Sequence, residues 1–426
     1  TLFMENPFLQ PYTTPHGTVP FDKIELVHYE PAIREGISQE DKEINDIISN
    51  PEKPTFKNTI LALEQSGKLL DQVTTVMFNL MSAETCNELD EIAEKMMPLL
   101  SEHSNNISLN EKLFERVKQV YEDRKSLKLT PEELRLLEKT YDGFVRNGAN
   151  LSEEDKVTFR KISTELSSLT LRFSQNHLKE TNSYELLLDS EEQLKGLPES
   201  IIEAAAHTAK EKGKNGWIIT LQAPSYVPFM KYSENRELRR KLYMAYNTQC
   251  IHDNEQNNEG VVKQLVNLRI QLAQLLGFKN YADYALRKRM AENSERVYQL
   301  LDQLLEAYTP TAREEVKEIE ALAQRTEGKD FQLMPWDFSY YAEKLKNEKF
   351  NLNEEALRPY FELSRVKEGV FGLATRYMVF HLKRIKTSRY IIRTYRLMKY
   401  MIKTAVIWLF CILISIRVRE SALVHG

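Results

Sequence analysis

Histidines are the residues best suited to chemistry in this sequence, and their spacing decides what they can do. A helical zinc site of the HExxH type needs two histidines four residues apart, so that both imidazoles reach one ion while the glutamate polarises the bound water. No two of the eight histidines have that spacing. The nearest approximations, His177 with Glu180 and His252 with Glu255, each lack a second histidine, which favours surface or capping roles. The eight are His16, His28, His103, His177, His207, His252, His381 and His425.

Other catalytic signatures are missing from the sequence, since it contains no GxSxG, no phosphate loop and no GxGxxG. The pair Glu153 and Glu154 is more typical of a solvated helix start than of a catalytic dyad. The run LRKRM from Leu286 to Met290 could meet phosphate or carboxylate groups, although a solvated helix face is favoured. The residues alone therefore predict no catalytic residue and no metal ligand, and they leave the substrate-binding residues undetermined.

A group of four aromatic residues is a further candidate feature. Aromatic side chains supply contact area and, in tyrosine and tryptophan, a hydrogen-bonding group, so such a set could line a channel for peptides. Packing in a core explains the same set equally well. The four are Trp336, Phe338, Tyr340 and Tyr341.

The composition indicates a folded protein. Its 426 residues, 42% of them hydrophobic, are enough for two or three domains at about 150 residues each. The net charge of -4 gives no indication of a nucleic-acid partner. The cysteines lie far apart without a CxxC pair, which predicts buried thiols rather than a disulfide framework or a zinc knuckle. They are Cys86, Cys250 and Cys411.

The last 50 residues differ from the rest of the chain. They carry ten Lys and Arg against the single acid Glu420, a net charge of +9, whereas the preceding 376 residues sum to -13. The one long apolar run, Ala405 to Ile416, has twelve residues, short of the roughly 18 to 20 that span a bilayer. We therefore expect no designed membrane anchor, although a tail-anchored helical protein is an alternative. The first residues, TLFMENPF, show no signal peptide, and cytoplasmic and periplasmic locations both stay open.

Helical patterns dominate between these ends. Prolines in the first 29 residues predict an extended N-terminal arm, and Pro31 suits the first turn of a helix ending near Ser49. Thr130, before a proline and two glutamates, predicts a helix start, as does Ser152. Gly277 predicts a left-handed helix stop. Residues 30 to 376 are thus predicted to be one mainly α-helical body without a clear linker.

Two short stretches and one proline interrupt this pattern. The β-rich segments Tyr184 to Leu188 and Trp217 to Leu221 flank a predicted helix near Pro198 to Lys212, which indicates a small hairpin or two-stranded insert. Pro310 is expected to separate or kink the helical segments on either side of it.

Consecutive blocks from Asn6 to Arg376 resemble bacterial peptidyl-dipeptidases of the thimet oligopeptidase family of zinc metallopeptidases. The blocks keep the family's order without large gaps. They include NPFLQPYTTPHGTVPFDKIELVHYEPAIREGI, PTFKNTILALEQSG, LLSEHSNNISLNEKLF, LLEKTYDGFVRNGANLS, APSYVPFMKYSENRELRRKLYMAYN, LLGFKNYADYAL and LMPWDFSYYAEKLKNEKFNLNEEALRPYFEL.

The resemblance implies the N-terminal helical part of a two-lobed clamshell that hydrolyses short unfolded peptides and releases C-terminal dipeptides. In intact members a zinc ion, held by HExxH and a later glutamate, supplies the activated water. All of that machinery follows the position of Arg376. No catalytic or zinc residue therefore has a matching position here, and we expect no zinc in this chain and no activity from it alone.

The tail is consistent with a lost base. Codons chosen for Tyr377 to Lys383, with one T restored before them, translate as LYGISLK, and the restored frame continues as a sequence similar to the family. We therefore expect residues 377 to 426 to be out of frame and not a native domain. Two functional alternatives stay open: an internally cutting oligopeptidase of the same family, and a non-catalytic helical remnant that binds peptides.

Overall fold

A computed structural model describes residues 6–14, 17–352, 354–378, 380–384, 396–402 and 407–413. The chain is mainly α-helical, as predicted. The helices are α1 Tyr29–Ser49, α2 Ala62–Glu64, α3 Lys68–Ala83, α4 Asn87–Ser108, α5 Glu111–Glu122, α6 Pro131–Arg146, α7 Glu153–Ser183, α8 Glu199–Glu211, α9 Ala223–Tyr232, α10 Arg236–Asn247, α11 Glu259–Leu275, α12 Tyr281–Leu286, α13 Ser294–Glu327, α14 Pro335–Phe350, α15 Glu354–Leu357 and α16 Leu363–Met378. The strands are β1 Leu186–Leu188, β2 Trp217–Ile219, β3 Phe380–Arg384, β4 Arg396–Ile402 and β5 Ile407–Leu413.

The chain divides into two compact units. Unit 1 comprises residues 1–175, 261–284 and 374–426, and unit 2 comprises residues 176–260 and 285–373. Each of the four crossings between the units falls inside a helix, in α7, α11, α12 and α16. Because no linker sequence marks such a crossing, the sequence pattern indicated a single body.

The N-terminal arm is anchored to the first helix of unit 1. Its described residues are mostly non-helical, with 3₁₀ turns at Pro7–Leu9 and Leu26–His28. The Asn6 side chain donates a hydrogen bond to the carbonyl of His28 at 2.9 Å, and the buried Phe8 ring lies 5.2 Å from that of Tyr29. The arm therefore contributes to the core instead of running free.

Three apolar clusters form the interior of unit 1. One lies between α1, α3 and α4 and includes Ile33, Val73 and Met96, all fully buried. A second joins α1 with α5 and α6. A third joins α7 with α11 and α12. Burial of such faces is the main source of stability in a helical protein.

Local sequence signals correctly predicted helix ends in this unit. The Thr130 hydroxyl accepts a hydrogen bond from the Glu133 amide at 3.2 Å, and the Glu133 carboxylate accepts one from the Thr130 amide at 2.8 Å. This reciprocal capping box satisfies two amides at the start of α6. Gly277 adopts φ +80°, and the Phe278 amide donates to the carbonyl of Ala273 at 2.8 Å, which closes α11.

Unit 2 contains the predicted two-stranded insert. Strands β1 and β2 pair antiparallel, with Leu186 opposite Ile219 and Leu188 opposite Trp217. Helix α8 lies between them in sequence, as predicted, so the insert is not a tight hairpin. Its buried residues pack with those of α9 and α10 in one cluster.

Helix α13 runs through Pro310 without a break. The 34 residues from Ser294 to Glu327 form one helix, so the predicted separation at Pro310 is wrong. An internal proline removes one helical hydrogen bond, and the turns on both sides of Pro310 keep theirs.

The tail contains three antiparallel strands in the order β3-β4-β5. Within the predicted apolar run, residues 407–413 form β5, and residues 405–406 and 414–416 lie outside the described part. None of the described helices combines the length with the hydropathy that a membrane span requires.

Candidate functional site

Two neighbouring cavities on unit 1 form a groove. Their volumes are about 750 and 490 Å³, and both are lined by Phe78 of α3 and Met97 of α4. We call them together the α3–α4 groove. Because they share these residues, the two cavities adjoin one another. Apolar lining with a few polar groups is typical of ligand-binding clefts.

One end of the α3–α4 groove is acidic. Three carboxylates line the larger cavity, those of Glu40, Glu64 and Asp71, together with the amine of Lys68. Gly67 brings the backbone close to the first of them: it adopts φ +69°, and a Cβ there would lie 2.5 Å from Glu40 Oε1. Only glycine fits that approach without displacing the carboxylate.

A buried histidine fixes Glu40 in place. His103 Nε2 lies 2.7 Å from Glu40 Oε2, and His103 Nδ1 lies 3.3 Å from Asp41 Oδ1. The hydrogen bond with Glu40 raises the pKa of His103 above its ordinary value, although burial acts in the opposite direction. The imidazolium is therefore favoured, and His103 acts as a positioning group for the acidic wall.

The other end of the α3–α4 groove is basic. Arg269 of α11 and Tyr281 of α12 line the smaller cavity, with the guanidinium 5.3 Å from the ring centroid. This cation–π contact holds the arginine near the ring. Phe78 and Met97 line both cavities, and Leu171 lines the smaller one. An extended peptide could place an amine at the acidic end and a carboxylate at the basic end.

The two pairs that partly resemble a zinc motif, His177 with Glu180 and His252 with Glu255, lie in unit 2, and one residue of each is in contact with the other. His252 of one pair places Nε2 3.9 Å from Oε1 of Glu180 of the other pair. Asn254 Nδ2 donates to Glu180 Oε2 at 3.1 Å, and the Thr248 hydroxyl lies 3.3 Å from His252 Nε2. These contacts order the loop between α10 and α11. Among the side chains that the structure describes, no group of three or more His, Cys, Asp or Glu could hold a metal ion.

The remaining histidines and the cysteines are placed as follows. His28 Nδ1 accepts from the Glu25 amide at 2.9 Å in a turn, and His207 lies exposed on α8. Cys250 is a buried thiol whose pKa is raised to about 11 by burial. Cys86 is exposed at the start of α4, which corrects the expectation that it is buried. His16, His381, His425 and Cys411 lie outside the side chains that the structure describes.

The charged candidates are solvated. Glu153 lies exposed in the first turn of α7, and its carboxylate pairs with the amine of the buried Lys156 at 2.8 Å. In the run from Leu286 to Met290, the residues after Leu286 are exposed but form a turn after α12, not the helix face that the pattern predicted. Neither feature lines the α3–α4 groove.

The aromatic group belongs mainly to the interior of unit 2. Tyr340 and Tyr341 are buried against Ile319 and Ala323 of α13, and Trp336 packs beside the cluster of the two-stranded insert. Phe338 is 42% exposed. Core packing therefore accounts for three of the four residues.

Asp337, which lies between Trp336 and Phe338 in the sequence, is the main structurally important residue that the sequence pattern did not identify. Asp337 is fully buried and accepts hydrogen bonds from Arg236 at 2.7 Å and from Arg239 at 2.9 Å. Burial acts to raise the pKa of Asp337, but the two guanidinium groups outweigh it and hold that pKa below its ordinary value. The two arginines lie three residues apart on α10, about 100 residues before the acid, so only the fold brings them together.

Comparison with known proteins identifies relatives of this chain. The profile of peptidase family M3 matches residues 229–404. Dipeptidyl carboxypeptidase of Escherichia coli is 39% identical over 371 residues, which cover 87% of this chain and 54% of that protein. Oligopeptidase A is 33% identical over 387 residues in Haemophilus influenzae, with coverages of 90% and 56%, and 31% identical over 377 residues in Escherichia coli, with coverages of 88% and 55%.

The chain spans about half the length of the curated relatives it matches. The profile match ends at residue 404, beyond Arg376, where the resemblance read from the sequence ends. The match covers most of this chain but only about half of each relative, so this chain corresponds to part of the relatives' polypeptide. The chain therefore belongs to peptidase family M3, as a partial, N-terminal portion of the family's polypeptide.

Proposed function

We propose that this chain is the N-terminal portion of a peptidyl-dipeptidase, a zinc-dependent enzyme that releases C-terminal dipeptides from short unfolded peptides. The observation that carries the proposal is the 39% identity over 371 residues to a dipeptidyl carboxypeptidase. Zinc in intact members of the family supplies the activated water for hydrolysis. The chain alone is proposed to be inactive.

The described residues do not fit a zinc site, because no suitable group of three ligands is present among them. We assign no metal ligand and no proton-transfer residue to this chain. By resemblance, those residues belong to the part of the family's polypeptide that follows Arg376.

The role proposed for the present chain is peptide binding in the α3–α4 groove. Glu40 and Asp71 at the acidic end would attract an amine, and Arg269 at the other end would pair with a carboxylate. The apolar floor between them would cover side chains of the peptide. Opposite charges at the two ends favour one orientation of a peptide over the reverse.

Two relatives favour an alternative. The matches to oligopeptidase A, at 33% and 31% identity, support an internally cutting oligopeptidase of the same family. The third hypothesis is a non-catalytic helical remnant that binds peptides. This function would require only the α3–α4 groove.

A chimeric protein tests the proposed release of C-terminal dipeptides. Residues 1–376 are joined to the remainder of the Escherichia coli dipeptidyl carboxypeptidase, and N-terminally blocked peptides of six to ten residues are digested. Mass spectrometry is expected to find dipeptides from the C-terminus with the chimera and no products with the present chain. Internal fragments instead of dipeptides would favour the oligopeptidase alternative. A well-folded chimera without any product would overturn the proposal.

Peptide binding to the present chain tests the proposed role of the α3–α4 groove. A fluorescently labelled pentapeptide with a free carboxylate is titrated into the chain and into Arg269→Ala. The loss of one charge-assisted contact is expected to weaken binding about tenfold, equivalent to about 1.4 kcal/mol. Lys263→Ala on the same helix α11, outside the lining of the groove, should leave the affinity unchanged. Equal weakening by both variants would show that the peptide does not bind in the α3–α4 groove.

We also propose that residues 377–426 are translated from a shifted frame, so that the native polypeptide leaves the present sequence after Arg376. The charge reversal and the reconstructed LYGISLK support this proposal. The profile match through residue 404 and the pairing of β3, β4 and β5 are the observations against it.

A further inference from the structure

A buried ionisable group lies directly behind the acidic end of the α3–α4 groove. The side chain of His103 is 6% exposed, and its Nε2 lies 2.7 Å from Glu40 Oε2. Glu40 lines the larger cavity, and His103 does not. The histidine can therefore act on a molecule in the groove only through the carboxylate that it holds.

Both ring nitrogens of His103 face a carboxylate. Nε2 faces Glu40, and Nδ1 lies 3.3 Å from Asp41 Oδ1. A neutral imidazole has one N–H and one lone pair, whereas an imidazolium has two N–H groups. Only the imidazolium can place a proton toward each carboxylate. When the proton is lost, the shorter bond with Glu40 can stay, and the Asp41 side chain, which is 53% exposed, can turn to water.

Other charged groups around the ring have partners of their own or face solvent. Arg160 of α7 donates to Asn106 of α4 at 2.6 Å. Glu43 of α1 accepts a hydrogen bond from the Gly67 amide at 2.8 Å. Glu102, the preceding residue on α4, is exposed. The two carboxylates of α1 are therefore the charges that act directly on the ring.

Protonation of His103 changes the charge at the acidic end of the groove. Three carboxylates and the amine of Lys68 give the lining of the larger cavity a net charge of -2, and the imidazolium behind Glu40 offsets one of these charges. A ligand amine and the imidazolium would both be attracted by the Glu40 carboxylate and would repel each other. Each of the two cations therefore weakens the hold of the site on the other.

We propose that His103 couples peptide binding in the α3–α4 groove to the release of a proton. Loss of the proton from His103 to solvent strengthens the attraction of the acidic end for an amine, and a bound amine expels the proton by the same factor, as linkage requires. The inference rests on the proposed function, since it takes the groove to bind peptides. The raised pKa of His103 places this exchange above the ordinary value of about 6.5.

Isothermal titration calorimetry tests the coupling with a probe whose own charge does not change. The probe is a pentapeptide with a free carboxylate and a guanidinium in place of its N-terminal amine, because a guanidinium stays protonated up to a pH of about 12. Its affinity for the full chain is expected to rise about fivefold between pH 6 and pH 9. In that range the heat of binding should differ between two buffers with different heats of ionisation, by the fraction of a proton released. The N-acetylated peptide should show neither effect.

Matched variants assign the effect to His103. His103→Gln keeps a donor for Glu40 but does not titrate, so its affinity should be the same at pH 6 and pH 9, without proton release. Asp41→Asn keeps His103 and its bond with Glu40, and should move the rise in affinity to lower pH. Asp46→Asn, with the same loss of charge at an exposed position on α1, should leave the curve unchanged. If His103→Gln does not fold, the two aspartate variants still decide.

Three results would overturn the inference and leave the proposed function standing. The first is binding that depends on Arg269 but has the same affinity at every pH. The second is a rise in affinity that persists in His103→Gln or is equal for the N-acetylated peptide. The third is an affinity that falls as the pH rises, which would mean that the imidazolium is needed to hold Glu40 in place.

A different result would count against the proposed function itself. If neither peptide binds at any pH between 6 and 9, the α3–α4 groove is not a peptide site, and the coupling through His103 is overturned with it.

Discussion

The two halves of α13 belong to one continuous helix and have the same apolar periodicity, but their surroundings differ. The second half is buried against Tyr340 and Tyr341 of α14, next to the Asp337 ion-pair network. The first half presents its apolar stripe to solvent. Periodicity therefore predicts which face of a helix seeks a partner, and the presence of the partner decides whether that face contributes to stability.

The largest effect should come from the packed region. Asp337→Ala leaves the buried Arg239 guanidinium without its carboxylate, and we expect a loss of about 3 to 5 kcal/mol in the free energy of unfolding. Urea unfolding followed by circular dichroism measures it. Asp302→Ala, on the exposed half of α13, is the matched control and should change stability by less than about 0.5 kcal/mol. Equal losses would remove the contrast between the regions.

Two leucines on α13, one buried and one exposed, should respond differently to the same substitution. Leu322→Ala empties a buried position and should lower the free energy of unfolding by about 2 to 5 kcal/mol. Leu305→Ala, with the same chemical change at a 66% exposed position, should stay within about 0.5 kcal/mol in this chain. If Leu305→Ala is destabilising, the first half of α13 has a partner within this chain.

The acidic end of the groove in unit 1 should respond to pH. His103 has a folded-state pKa above its unfolded value near 6.5, so its contribution is fully present below pH 6.5 and is lost as the pH rises through the folded-state pKa. At pH 5.5, His103→Gln should therefore cost about 1.5 to 3 kcal/mol, as for a hydrogen bond to a charged group. Urea midpoints from pH 5.5 to 9 should fall for the native chain and stay nearly flat for the variant. Parallel curves would contradict this assignment.

The smallest effect concerns a contact that is purely local. Thr130→Ala removes the side-chain cap of α6 and should cost about 1 kcal/mol. Thr140→Ala in the same helix is the control, because its hydroxyl donates to the Leu136 carbonyl and caps no amide. Thermal unfolding of both variants measures the difference. Equal shifts in the midpoint would indicate lost helix packing instead of a lost cap.

Features set by neighbouring residues could be predicted from the sequence. Thr130 and Gly277 were identified correctly because a cap and a left-handed stop depend on residues within a few positions. The two strands of the insert were found for the same reason. Of the two outcomes expected at Pro310, separation or a kink, separation was wrong, since the turns on both sides of the proline outweigh the one hydrogen bond that it removes.

Long-range features could not be predicted. The Asp337 network joins α10 to α14, and the α3–α4 groove combines α3 and α4 with residues of α7, α11 and α12. No local pattern marks such contacts. The exposure of the apolar residues in the first half of α13 was equally hidden, because an apolar helix face has the same sequence whether or not it is covered.

Reading the gene across the codons for Ala374 to Phe380, and for several hundred bases beyond, tests directly whether this chain is one portion of a peptidase. We expect one additional base after the codon for Arg376, followed in the restored frame by LYGISLK and later by an HExxH motif. A gene that keeps the present frame, with no HExxH downstream in any frame, would contradict it.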